Sequence, residues 1–231
     1  MSLILRIDVD RPYGRRSLSS HVMSRIGSDF YFPAVRQLGY LHDLELILNL
    51  LNDSGLRSYV FFRRCTLPSG AVMRLIEAGG HVAGLHLENS RSFENFQNEL
   101  RLLEWHLGCK VSTFSKHGSG VHKYGLHHYA PYEPEKYLSW AEKSGMKIFM
   151  GNLEDPTILP RHYGDSILFF PSAFWLEPHW RDTKSFTIEW LVNEARTRDV
   201  VLLFHPENVI VDAKLMEHFK YIICNSESKI F

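Results

Sequence analysis

The chain predicts a parallel α/β sheet or barrel, and three observations carry that expectation. Short β-prone apolar runs alternate with segments of helical apolar spacing from one end to the other. At 231 residues and 45% hydrophobic content the chain can bury a full core of the size common for one barrel-like domain. No internal repeat or low-complexity linker divides it, so one domain spanning residues 1–231 is expected.

The elements follow in order. Residues 3–8 form a first apolar strand. Residues 11–39, rich in Arg, Ser, Gly and Tyr, exceed an ordinary connection, and long loops at strand ends are often functional lids. Residues 40–52 have helical apolar spacing and stop at Ser54-Gly55. A β-prone run at 57–62 precedes a helix at 69–78, which Gly79-Gly80 ends. A third strand at 81–85 is followed by a helix at 93–107 closed by Gly108, then a fourth strand at 110–114 and a loop at 115–132. Residues 134–144 read as a helix with Pro134 in its first turn, where the missing N–H costs nothing. Strands at 146–150 and 166–170, a helix at 186–196, a final apolar strand at 200–204 and a helix at 213–223 complete the chain.

Composition narrows the function. Lys plus Arg and Asp plus Glu both total 26, so no basic surface tracks a phosphate backbone and nucleic acid is not an expected partner. The apolar run from Leu3 to Ile7 is far too short for a signal segment, and no stretch approaches the roughly 18 apolar residues of a membrane helix. A cytoplasmic protein without membrane insertion is therefore expected. Cys65, Cys109 and Cys224 are scattered and lack C-x-x-C spacing, which predicts reduced thiols and no zinc knuckle. Thirteen histidines is a high count for this length, and position must sort ligands and proton carriers from the rest.

In parallel α/β folds the site lies at the carboxyl ends of the strands. Counting there gives Asp8 and Asp10 after the first strand, His86 after the third, Lys116 and His117 after the fourth, and His205 after the last. Any one of these reads alone as a loop residue; four strand ends offering metal-competent or proton-carrying groups together do not. His42, His106 and His218 fall within helices, and His122, His127 and His128 within the long loop.

This order of residues resembles the polysaccharide deacetylases, carbohydrate esterase family 4, over nearly the whole chain. Family members open with a strand ending in T-F-D-D-G or S-V-D-x-D, here Arg6-Ile7-Asp8-Val9-Asp10. Their second motif, G-H-E-I-G-x-H-[ST]-x-x-H, is similar to the segment from Gly80 and His81 through Gly84-Leu85-His86. The third, a strand followed by R-x-P-Y-G, is similar in placement to the stretch from Phe114 to Gly120. The last, a strand ending in L-x-H, matches Leu203-Phe204-His205. The resemblance implies an irregular barrel of about seven strand–helix units, with Asp8 as general base, Asp10 and His86 as metal ligands and His205 as proton donor. His81, at the start of its strand, is expected to be structural.

Two departures accompany the likeness. Ser90 stands where the family places its second metal histidine, which leaves Glu88, His117 or another loop histidine as the third ligand; His117 is taken as the expected one. The family's base-orienting arginine is replaced in sequence by Lys116, which with Gly118 is expected at the substrate; lysine supplies charge but no bidentate fork. The implied activity is a metal-dependent deacetylase hydrolysing the N-acetyl group of an amino sugar in a cell-surface polysaccharide or its precursor, such as an O-antigen intermediate. The cofactor is a divalent metal, zinc first, with cobalt, nickel and iron also compatible. Loop aromatics Tyr13, Tyr31, Tyr129, Tyr132, Phe174, Trp175 and Trp180 are candidates for stacking on sugar rings. The alternative is a catalytically silent protein of the same fold that binds a glycan or a protein. A phosphatase with an Asp nucleophile fits badly, because Arg11-Pro12-Tyr13 follows the acidic pair. A nucleotide-sugar glycosyltransferase would carry its D-x-D later in the chain.

Overall fold

A computed structural model describes residues 2–231. The strands are β1 (Leu3–Val9), β2 (Ser58–Phe62), β3 (Val82–Leu87), β4 (Thr113–Lys116), β5 (Ile148–Leu153), β6 (Arg161–Tyr163), β7 (Ile167–Ser172), β8 (Phe174–Trp175) and β9 (Val200–Phe204). The helices are α1 (Leu18–Phe30), α2 (His42–Asp53), α3 (Gly70–Gly79), α4 (Phe93–Leu107), α5 (Pro134–Lys143), α6 (Ile188–Glu194), α7 (Pro206–Val211) and α8 (Ala213–Asn225). The strands form one sheet in the order β6-β7-β5-β4-β3-β2-β1-β9-β8, parallel throughout except for the antiparallel edge pair β6/β7. Ala173 alone separates β7, which pairs with β5, from β8, which pairs with β9. One nearly continuous extended segment thus touches both sides of the sheet and curls it into the irregular barrel the sequence predicts.

Alternation along the strands assigns the two faces. On β1, Leu3, Leu5 and Ile7 join the large core beneath the helices, whereas Ile4 points into the barrel with Tyr59, Phe61, Met150, Phe170 and Leu203. Arg6 and Asp8 share the face of Ile4, which places two buried charged groups inside the barrel near its carboxyl rim. Gly84 on β3 lets the lumen close: a Cβ there would lie 2.5 Å from Phe61 Cε1 and 2.5 Å from Thr113 Oγ1. Neither atom is the free end of a flexible chain. Gly84→Ala is therefore expected to destabilise the fold by about 1–3 kcal/mol through overpacking, read as a lowered urea midpoint with unchanged slope.

Several elements differ from the sequence expectation. The third strand runs to Leu87 and the fourth to Lys116, so His86 and Lys116 lie within strands rather than past them. The segment read as a loop from 11 to 39 contains α1. Its buried residues, Ser24, Gly27 and Ser28, are small, and Leu18 and Val22 are exposed, so its helical stripe is not written in large apolar residues. A reciprocal Ser17/Ser20 capping box starts it instead. The short β6 and β8 and the helix α7 were not anticipated. Cys65, Cys109 and Cys224 are free thiols. No helix among the described residues is long and apolar enough to cross a membrane.

Candidate active site

The carboxyl rim of the barrel gathers residues from four strand ends. Asp10 Oδ1 lies 3.2 Å from His86 Nε2 and 3.0 Å from His117 Nδ1, and the two imidazole nitrogens are 3.2 Å apart. These three ligand atoms form a triangle of nearly equal edges. Zinc–nitrogen bonds of about 2.0–2.1 Å place tetrahedral ligands roughly 3.3 Å from one another, so the triangle has the size of one face of such a site. Asp10 Oδ1 is buried and makes no hydrogen bond despite two nitrogens close by. That arrangement suits a shared cation better than mutual pairing. Burial holds the His117 imidazole well below its usual pKa and hence neutral. Burial acts to raise the Asp10 pKa, yet the imidazoles of His117, His86 and His205 hold it well below the carboxylate range. An ionised carboxylate and a neutral imidazole are the protonation states a divalent metal takes. On His86, Nδ1 meets Ser115 Oγ at 2.7 Å; with that N–H donated to the hydroxyl, the Nε2 lone pair faces the triangle. Asp10, His86 and His117 can therefore hold a metal ion.

Ser90 takes no part in this cluster. Its hydroxyl is fully buried and hydrogen-bonded to Tyr137 Oη at 3.1 Å. Glu88 is also diverted: it is ion-paired with buried Arg63, whose other arm donates to the Asp10 carbonyl at 2.8 Å and so braces the Asp10 backbone.

Asp8 sits beside the triangle, with Oδ2 3.6 Å from His86 Nε2. Arg6, two residues earlier on the same face of β1, grips it bidentately, Nε to Oδ1 at 2.9 Å and Nη2 to Oδ2 at 2.6 Å. Its remaining hydrogen bonds go to the Met150 and Gly151 carbonyls and to Asn152 Oδ1, at 3.1, 2.7 and 2.8 Å. Asn152 then donates to the carbonyls of Lys116 and Gly118, at 2.6 and 2.9 Å. One polar chain thus ties the Asp8 carboxylate to the turn that carries His117. The planar fork that Lys116 cannot supply is present, contributed by Arg6.

Lys116 corrects an expectation. It is wholly buried and does not line the cleft; its ammonium contacts the His117 carbonyl and, at 3.1 Å, His128 Nε2, and burial pushes its pKa down to about 7. As the last residue of β4 it shares the face of Phe114, in the core beneath the helices, and so points away from the barrel interior, because strand neighbours alternate faces. Gly118 does line the cleft, in a left-handed conformation (φ +78°) where a Cβ would meet His128 Nε2 at 2.9 Å.

His205, just after β9, closes the other side, with Nε2 3.5 Å from Asp10 Oδ2. Its Nδ1 pairs with buried Glu177 Oε1 at 2.9 Å, and the same oxygen accepts the His205 backbone N–H at 3.1 Å. Burial disfavours the imidazolium, but Glu177, aided by Asp10 and Glu207, outweighs it and raises the His205 pKa to about 10. Because this lies above the value of about 6.5 in an unfolded chain, the charged pair stabilises the fold fully below pH ~6.5 and fades as pH rises through 10. Glu177→Gln should move the His205 titration down by more than one pH unit, followed by NMR of the imidazole; an unmoved titration would refute the pairing.

Glu177, Arg6, Asn152 and Arg63 were missed by reading the sequence. Arg6 had a visible signal, the shared face of residues 6 and 8. Glu177 had none, since it follows a two-residue strand. The cleft, of about 200 Å3, is walled by Trp175, His179 and Trp180, whereas Tyr13, Tyr132 and Phe174 lie elsewhere. His81 is structural as expected, accepting from Ser58 N at 3.0 Å and meeting Asn52 Oδ1 at 2.8 Å.

No protein-family profile and no curated protein sequence matches the chain. Its structure does have likenesses. The Puue allantoinase superposes with a TM-score of 0.59 at 12% identity, over 96% of this chain and 82% of that one. A probable polysaccharide deacetylase from Pseudomonas aeruginosa PAO1 superposes at 0.57 and 13% identity, over 96% and 83%. A CE4 family pseudoenzyme from Bacillus anthracis superposes at 0.50 and 11% identity, over 98% of this chain, which spans only 62% of that protein's length. The fold is therefore that of the polysaccharide-deacetylase-like barrels. Within it, this chain carries an Asp-His-His cluster able to hold a metal, between a carboxylate fixed by arginine and an imidazole fixed by glutamate.

Proposed function

We propose that the protein is a metal-dependent hydrolase of carbon–nitrogen bonds that removes the N-acetyl group from an amino sugar of a cell-surface polysaccharide or its precursor. The observation that carries this reading is the triangle of Asp10, His86 and His117 flanked by Asp8 and His205, two proton-transfer groups each fixed by a buried partner of opposite charge. Asp10, His86 and His117 would hold a divalent ion, zinc foremost, which would supply Lewis acidity toward the amide carbonyl and lower the pKa of a water. Asp8 takes the proton from the attacking water, its lone pairs aimed by the Arg6 fork. His205, kept charged by Glu177, delivers a proton to the departing amine. The main chain at Gly118, lining the cleft next to His117, faces the developing oxyanion. Trp175 and Trp180 offer apolar ring faces for the sugar, their centroids 5.6 Å apart. Proteins of similar fold include one named as an allantoinase and one as a probable polysaccharide deacetylase, which supports a hydrolase reading.

The test is acetate release from a panel of N-acetyl sugars, sugar phosphates and oligosaccharides by the metal-replete protein. At least one substrate is expected to release acetate stoichiometrically with free amine. No release from any of them, with about one metal bound per chain, would favour the catalytically silent alternative.

A further inference from the structure

The mouth of the cleft carries two arginines that no carboxylate holds within hydrogen-bonding distance. Arg6, Arg16, Arg25 and Arg63 are ion-paired with Asp8, Asp43, Asp29 and Glu88. Arg11 and Arg15 differ. Both line the same cleft as Asp10 and His205, and among the described residues neither has a carboxylate within hydrogen-bonding distance. Arg11 meets His21 Nδ1 at 2.8 Å, its nearest acidic oxygen being Glu207 Oε1 at 3.9 Å. Arg15 meets only the neutral amide of Asn208, at 2.9 Å. Glu207 is buried in the cleft wall, and burial raises its carboxyl pKa.

The segment that presents these two side chains is fixed rather than loose. Pro12 O accepts from Leu41 N at 2.7 Å, buried Tyr13 donates to the Pro33 carbonyl at 2.8 Å, and Ser24 donates to the Gly14 carbonyl at 2.9 Å. Gly14, at φ +65°, passes so close to Asp43 that a Cβ would sit 2.1 Å from its Oδ2. Arg16 is anchored on that same Asp43. The anchors hold Arg11 and Arg15, four residues apart, toward the cleft, 34% of the Arg11 side chain remaining in contact with solvent.

Resting on the proposed amide hydrolysis at this site, we propose that the substrate carries a phosphate group, bound by Arg11 and Arg15 at the mouth of the cleft while its acylamino group lies at Asp10, His86 and His117. A carboxylate presents two oxygens, which one guanidinium fork can satisfy alone; a phosphate has a further oxygen for the second fork. Phosphate joined to an amino sugar occurs in nucleoside diphosphate sugars and in lipid-linked sugars, and both present the chemistry these arginines recognise.

The test is calorimetric binding to the metal-replete protein of N-acetylglucosamine 1-phosphate against neutral N-acetylglucosamine, at low and high salt. The phosphate form should bind roughly tenfold or more tightly, the range expected for charge-assisted hydrogen bonds. That advantage should shrink with salt and vanish in the Arg11→Gln/Arg15→Gln double variant. A preference that survives in the double variant would place the phosphate on the metal and overturn the inference, as would equal binding of the two sugars. Comparing a uridine diphosphate sugar with a short polyprenyl-phosphate sugar then separates the two sources: each should lose affinity with the double variant, and the tighter identifies the natural form. Acetate release at equal KM from neutral and phosphorylated sugars would leave the proposed function standing and remove this inference. Arginine-dependent phosphate binding without acetate release from any sugar would do the reverse.

Discussion

His117→Ala is expected to strip the protein of metal and of activity together. The variant removes one corner of a triangle whose edges are 3.0 to 3.2 Å, leaving Asp10 and His86 as a two-point site. Hydrogen-bond partners outside the ligand set change metal affinity by about 10 to 100-fold. Loss of a proposed direct ligand should therefore exceed roughly 100-fold, read by metal content after dialysis and by calorimetric titration with zinc. The fold should persist, because His117 lies in the turn after β4 rather than in the core. Ser90 offers no rescue, its hydroxyl being held by Tyr137. A His117→Ala protein that still binds one zinc per chain at wild-type affinity would remove His117 from the ligand set, and with it the explanation of how the site dispenses with a histidine at position 90.

Asp8→Asn separates catalysis from metal binding. Asp8 stands beside the triangle, not in it, and its carboxylate is gripped by Arg6 at 2.6 and 2.9 Å. Asparagine keeps the volume and one acceptor oxygen for Arg6, whose other hydrogen bonds, to two carbonyls and Asn152, persist. Buried Arg6 thus keeps most of its partners and the fold should hold. What disappears is the proposed proton acceptor. Positioned general bases contribute roughly 10²–10⁴-fold, so kcat should fall by that factor while metal stoichiometry stays at its wild-type value. Parallel loss of metal and activity would mean that Asp8 is a ligand, and wild-type kcat would mean that another group takes the proton.

Much of this site is legible in the chain because a parallel α/β fold converts sequence position into spatial position. Every strand of such a sheet ends on the same rim, so polar residues at successive strand ends converge whatever their separation in sequence. Asp8, Asp10, His86, His117 and His205 could be picked out by that rule alone, and the structure brings all five to one cleft. The same rule sets aside His81, which begins its strand at the opposite end.

The supporting groups follow no such rule. Lys116 looked like the charged residue facing the substrate, but the true extent of β4 turns it to the buried helix side of the sheet, and a shift of one position along a strand reverses the face. Glu177 reaches His205 only because the β7–β8 segment crosses between the two sides of the sheet, a closure that depends on contacts between strands distant in sequence. α1 was unreadable because its buried stripe consists of Ser24, Gly27 and Ser28, which pack by smallness rather than by hydrophobicity.

By itself, then, the sequence determined the alternation that makes the barrel and the acids and histidines that end its strands, since both depend on local pattern and chain order. Only the tertiary structure decided which buried charges hold those groups, Arg6 for Asp8, Arg63 for the Asp10 backbone and Glu177 for His205. Such pairs are fixed by strand register and sheet closure, and a one-residue change in either would exchange their partners.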